Sequence, residues 1–364
     1  MTIRQLRNHI PVGSPARREP VKGNESPLRV SLGFEPAWFH QRCRVNLGER
    51  WHTDPSYRHE ALVEMKGTLC RAFPQATCWD PDDDRDLWTI SGCYGAFPVA
   101  WIMGCELAYA PDRWPTIVSR PRYTRAELEG LSPDDFLHNS RVQTLLTQMD
   151  TIEAVGKPIH GYLNWQGVLN NAFNICGQEI FVDLYQRPGL ARHVFSLICE
   201  VMIGVAQQIQ ARQRASGFYV NQMSVSNCVM NMISPETYAT FLGQHDRRIA
   251  QSFESFGIHT CNWDVSPYLE VLRALPKVGY LDMGITSDMA RAKATFPQAR
   301  HAVLYSPGKL HDASLEAIEA DMVRVYRELA PCDVIMADIQ ATTPDTRVNA
   351  LLRICADLTT HDKR

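Results

Sequence analysis

The feature that most constrains the fold is an alternation. Short apolar runs of strand length are separated by stretches whose apolar residues recur every three or four positions. The strand candidates are LRVSLGF (28–34), IHGYLNW (159–165), GFYVNQMSV (217–225), GIHTC (257–261), VGYLDMG (278–284), HAVLYSP (301–307) and CDVIMADI (332–339), with an eighth around ATCWD (76–80). Between them, PGLARHVFSLICEVMIGVAQQIQ (188–210) sets Leu190, Val194, Ile198, Val201, Val205 and Ile209 on one helical face. SPETYATFLGQHDRRIAQSF (234–253) opens with Ser234 as N-cap and Pro235 at the first helical position. Helices are also expected over 266–275, 314–329 and 344–358.

Strand then helix, repeated about eight times, predicts an α/β chain of the (β/α)8 TIM-barrel type. A doubly wound open sheet fits less well, because the first strand is followed by GFEPAWFH rather than a glycine-rich turn. We expect a flexible tail over 1–25 and a single barrel domain over 26–364. An irregular excursion at about 80–150, aromatic- and proline-rich, is expected near the barrel mouth.

At 364 residues, with 45% hydrophobic and 21% charged side chains, the chain has the balance of an ordinary globular protein. A net charge of -3 gives no basic surface for nucleic acid or anionic membrane. No run of apolar residues in the sequence reaches the ~20 that a membrane span needs. The 11 cysteines are scattered without CxxC pairs, which points to a reducing compartment and a cytoplasmic location. The glycine-rich, P-loop, HExxH and GxSxG signatures are absent from the sequence.

Barrel active sites form where the strands end. His259 and Cys261 lie at the end of the fifth strand, and alternate strand residues point the same way, so both are candidates to face the mouth. Imidazole nitrogen and thiolate are the preferred ligands of zinc. For a bare HxC a cysteine packed beside a satisfied histidine is the better explanation, and the place at a strand end brings the two readings level. Polar residues end the other strands: Asn164 and Gln166 the third, Ser224, Ser226, Asn227 and Cys228 the fourth, Asp282 the sixth, Tyr305 and Ser306 the seventh, Asp338 and Gln340 the eighth. The Asp and Ser residues among them serve equally as helix caps. As functional candidates, Asp282, Asp338 and Gln340 are assigned to catalysis, and Asn164, Asn227 and Tyr305 to substrate binding. Asp338 is a candidate to complete a metal site, orient His259 or bind substrate.

From about Leu28 to the C-terminus the chain resembles the uroporphyrinogen decarboxylase superfamily, which includes the cobalamin-linked methyltransferases. The resemblance rests on NMISPETYATF (231–241), on HTC (259–261) and on PDTRVN (344–349). It implies a (β/α)8 barrel. The decarboxylase branch carries an arginine-rich N-terminal motif, for which this chain has LGFEPAWFHQRCRVNLGERWH (32–52), with Arg42, Arg44 and Arg50 in another arrangement.

The methyltransferase branch binds zinc through the HxC and a later cysteine, with a methyl-corrinoid as donor. The resemblance thus implies zinc on His259 and Cys261, and a corrinoid carried by a partner protein. The family's third ligand position falls on Gln340, Asn262 replaces the usual glycine after HxC, and Cys332 lies at the wrong end of its strand. Asp338, Cys228 or another side chain would have to complete the site.

The leading expectation is a metal-dependent methyltransferase acting on a small thiol or related nucleophile. One alternative is a decarboxylase or lyase of a small carboxylate substrate held by Arg42, Arg44, Arg50, Arg113 or Arg120. Another is a non-catalytic barrel that binds a small molecule or a corrinoid partner. Substrate and oligomeric state are not legible.

Overall fold

The computed structural model describes residues 26–75, 87–121 and 123–361. The expected tail over 1–25 and the strand expected around 76–80 lie outside the described residues. In chain order the strands are β1 (Leu28–Phe34), β2 (Glu106–Ala110), β3 (Arg113–Ser119), β4 (Gln222–Ser226), β5 (Ser255–His259), β6 (Val278–Gly284), β7 (Arg300–Tyr305) and β8 (Cys332–Ile339). Six of them form one parallel sheet in the order β1-β8-β7-β6-β5-β4. Helices connect these strands, which gives the α/β crossover pattern of a TIM-like fold.

Among the described residues the expected closed ring of eight paired strands is not seen. β2 and β3 form a separate antiparallel hairpin. Beyond β4, among the described residues, the parallel arrangement continues as single bridges, Gln166 with Ser226 and Thr89 with His160. The stretch over 159–165, expected as a strand, is bent at Gly161, whose φ is +96°. A Cβ at Gly161 would lie 1.9 Å from Thr89 Oγ1, so only glycine lets the two segments meet. The Ser91 hydroxyl then accepts the Tyr162 N–H that a regular ladder would have used.

Alternation along the strands sorts side chains onto two faces. Phe256, Ile258, Leu281, Met283, Val303, Tyr305, Val334 and Met336 join the main core beneath the helices. Tyr280, Ala302 and Ile335 form a small cluster of their own on the inner face, flanked by Leu304 and Ala337. Near the strand starts, that inner face is ionic. Asp333 accepts from Arg300 Nε at 2.7 Å and pairs with Arg29 Nε at 2.8 Å, all three buried.

The long helix Pro188–Ala215 is apolar and long enough to cross a bilayer by composition. Its apolar window is 67% buried inside the protein, as in a core helix. The six stripe residues from Leu190 to Ile209 are all buried. Ser234 caps its helix by accepting the Thr237 N–H, as expected. The expected single helix over 234–253 is instead two, Pro235–Phe241 and Gly243–Ser252, separated by Leu242. Over 266–275 the helix shrinks to a 3-10 turn and the four residues Leu269–Leu272.

Asp333 is one carboxylate shared by two buried guanidinium groups. Asp333→Asn should therefore cost on the order of 3 kcal/mol in urea unfolding, because removing one partner strands buried charge. A loss below about 1 kcal/mol, the scale of an exposed pair, would contradict this account of the inner face.

Candidate metal centre

The C-terminal ends of β4 and β5 bring three soft donors together. The side-chain donor atoms of Cys228, His259 and Cys261 all lie within 4.8 Å of one another. His259 is the last residue of β5, and its Nε2 sits 3.2 Å from Cys261 Sγ. Cys261 Sγ approaches Cys228 Sγ at 2.8 Å. His259 is buried, and the two cysteines are partly accessible.

The strand register explains why these residues meet. Ser226 pairs with His259 across β4 and β5. Cys228 and Cys261 each stand two residues further on, so equal steps past paired strand ends carry both sulfurs to one place. The Asn227 N–H extends the ladder by donating to the His259 carbonyl at 2.8 Å. Cys261 itself is not in the strand, contrary to the expectation of strand alternation. It adopts φ 58°, the left-handed region that side chains rarely enter. That turn, not a pleat, swings its sulfur back over His259.

Two glycines hold the cysteine-bearing turns. A Cβ on Gly284, the last residue of β6, would lie 2.1 Å from the Asn262 carbonyl oxygen. A Cβ on Gly167 would lie 1.8 Å from Asn227 Oδ1. Each turn is therefore seated on bare backbone of a neighbouring segment. Asn262 meets Gly284 through its backbone.

Asp282 on β6 governs the imidazole. Its carboxylate accepts from His259 Nδ1 at 2.7 Å and from the Thr260 N–H at 2.8 Å, and Tyr280 donates to it at 3.0 Å. A carboxylate only accepts, so Nδ1 carries a proton, and it is Nε2, with its lone pair once the second proton is lost, that faces the sulfurs. Burial opposes charge on His259, but Asp282 and the two sulfurs outweigh it and hold the imidazole pKa well above its usual range. The hydrogen bond from Cys261 and the nearby imidazole hold the Cys228 thiol well below its usual range. The Cys261 thiol is pushed up, first by donating to Cys228 and then by burial.

The donor set, two thiols and one imidazole, could hold a soft or borderline metal ion through three protein ligands with one position open. The sulfurs are closer than the roughly 3.8 Å that tetrahedral bonds of about 2.3 Å would impose, so binding requires them to part by about an ångström. Both lie on turns rather than in strands, where such a shift is least opposed.

The other expected site residues are dispersed. Asp282 positions His259, the role that had been open to Asp338. Asp338 lies at a bulge in the β1–β8 pairing with φ 54°, and its carboxylate accepts the Trp114 indole N–H at 3.0 Å. It meets solvent while closely surrounded, and burial, aided by Glu35, raises its carboxyl pKa. Gln340, assigned to catalysis, follows β8, and its carbonyl accepts the Thr343 N–H. Among the described residues, neither Asp338 nor Gln340 makes a hydrogen bond to the Cys–His–Cys group.

Tyr305 does not face the inner side. It follows Leu304 on a strand whose inner residues include Ala302 and Leu304, so it points to the helices, where its hydroxyl donates to Asp321 at 2.8 Å. Asn227 is buried and donates to Asp246 at 3.0 Å, and Asn164 accepts from Ser226 Oγ at 3.1 Å. Both amides are committed to holding the strand ends. Of the arginines considered for a carboxylate substrate, Arg42 is paired with Asp345, Arg50 with Asp54 and Arg113 with Asp112. Arg120 donates to the Asn174 carbonyl.

No protein-family model matches the sequence. No curated protein matches it either. The fold is similar to that of a methyltransferase from Methanosarcina mazei, with a TM-score of 0.66 and 18% identity, over 93% of this chain and 95% of that one. At that identity the likeness is one of fold.

Asp246 gives a test of how the Cys228 side is built. It is fully enclosed and accepts from Tyr238 at 2.6 Å and from Asn227 at 3.0 Å. Burial outweighs both hydrogen bonds and raises its carboxyl to about 6. The folded state therefore holds this proton more tightly than the unfolded chain. Its stabilisation is complete below about pH 4 and is lost as pH rises through about 6. Asp246→Asn keeps both contacts to one oxygen and removes the charge. Its stability relative to the parent should climb by on the order of 2 kcal/mol between pH 4 and pH 7 in thermal unfolding. Parallel pH profiles would refute the assignment.

Proposed function

We propose that Cys228, His259 and Cys261 hold a zinc ion at the open end of the sheet, and that the protein is a metal-dependent methyltransferase acting on a small thiol. The observation that carries this reading is the convergence of the three donors, with Asp282 fixing the imidazole so that Nε2 faces the sulfurs. Cys228 takes the place that the family resemblance assigns to Gln340. The ion would supply a lowered thiol pKa, and hence a thiolate nucleophile at neutral pH.

The chain's own residues have separable tasks. Asp282 holds the Nδ1 proton and the ring angle, which raises the donor strength of Nε2. Tyr280 and the Thr260 N–H in turn hold Asp282. Gly167 and Gly284 let the two cysteine turns approach. A three-ligand set leaves one position for substrate, whereas a structural zinc site takes a fourth protein ligand. The methyl donor proposed is a corrinoid on a partner protein, following the sequence resemblance and the fold likeness. A cytoplasmic location suits thiols that must stay reduced.

Purified without chelator, the full chain should carry about one equivalent of zinc, and Cys228→Ser, Cys261→Ser and His259→Ala each less than about a tenth. Asp282→Asn should weaken zinc affinity by about 10–100-fold. Gln340→Ala should leave metal content unchanged. Zinc retained in Cys228→Ser but lost in Gln340→Ala would overturn the ligand assignment. Incubation of the zinc protein with a methyl-corrinoid and small thiols should yield a thioether by mass spectrometry. A fully loaded protein that never transfers a methyl group would favour the binding-protein reading.

A further inference from the structure

We propose that Cys228 and Cys261 are a peroxide-sensitive pair that closes into a reversible disulfide. The sulfurs already stand 2.8 Å apart, and a disulfide needs about 2.05 Å, so less than an ångström of side-chain movement separates the two states. They come from matching positions past adjacent parallel strands. Neither is sealed off, whereas Cys93, Cys105, Cys199, Cys332 and Cys355 are buried. The Cys261 S–H points at Cys228 Sγ, which marks Cys228 as the electron-rich sulfur.

The chemistry needs one hydroperoxide. Cys228 sulfur attacks a peroxide oxygen, the O–O bond breaks, and a sulfenic acid and one water result. Cys261 sulfur then attacks the sulfenic sulfur, the S–O bond breaks, and a second water leaves with the Cys261 proton. Two thiols are oxidised by two electrons, and hydrogen peroxide is reduced to two waters. The bond leaves His259 as the lone member of the trio with a free donor. The resulting loss of metal capacity rests on the ligand assignment above, while the disulfide itself does not.

Full-length protein stripped of metal would be treated with equimolar hydrogen peroxide and followed by intact mass and non-reducing peptide mapping. The expected product is about 2 Da lighter, has lost two thiols, links Cys228 to Cys261 and is reversed by dithiothreitol. Cys228→Ser and Cys261→Ser should each fail to give it. Mapping of the unaltered chain identifies the linked cysteines directly, so the test does not depend on how the variants fold. Zinc capacity should fall at least about tenfold on oxidation and return on reduction. A linkage between other cysteines, or sulfinic acid without any linkage, would overturn the proposal. A Cys228–Cys261 linkage in a chain that binds no zinc even when reduced would sustain the disulfide and sink the metal reading.

Discussion

The contact between the Asp282 carboxylate and His259 Nδ1, 2.7 Å long and buried, is the interaction on which the site depends. A buried carboxylate is tolerable only when it is well supplied with donors. This one has an imidazole, a backbone N–H and a tyrosine hydroxyl. In return it fixes which nitrogen of His259 is free and where that nitrogen points. The two cysteines then meet an imidazole whose orientation is already decided. Remove the carboxylate and the donors still converge, but the ring is free to turn.

The surrounding architecture serves that arrangement at small distances. β5 ends at His259, and a left-handed turn brings Cys261 back over it. Gly284 lets the turn lie against β6, and Gly167 does the same for the segment that carries Cys228. Asp246, Tyr238 and Asn227 anchor the Cys228 side from the helix layer. Further round the mouth, the β2–β3 hairpin sets Trp114 against Asp338.

Much of this was legible in the sequence, for physical reasons that differ by element. Six parallel strands could be read because apolar runs with helical spacers have few other solutions. The segment over 159–165 misled because its composition suits a strand, while Gly161 bends it where it meets Thr89. His259 and Cys261 could be found from spacing and placement. Cys228 was only one of several possible partners, although the equal steps from Ser226 to Cys228 and from His259 to Cys261 would have singled it out once the register was known. Tyr305 stands one residue of alternation away from the inner face, beside Leu304. Asp338 and Gln340 drew attention through their place at the end of β8, and no spacing rule reports that the donors gather three strands away.

Two sulfurs and one imidazole are proposed to hold the same ion. X-ray absorption at the zinc edge of the loaded, reduced protein tests it directly. Two sulfur neighbours at about 2.3 Å and one imidazole nitrogen at about 2.0 Å are expected, with one further light atom in the open position. A shell with a single sulfur, or one made only of nitrogen and oxygen, would contradict it.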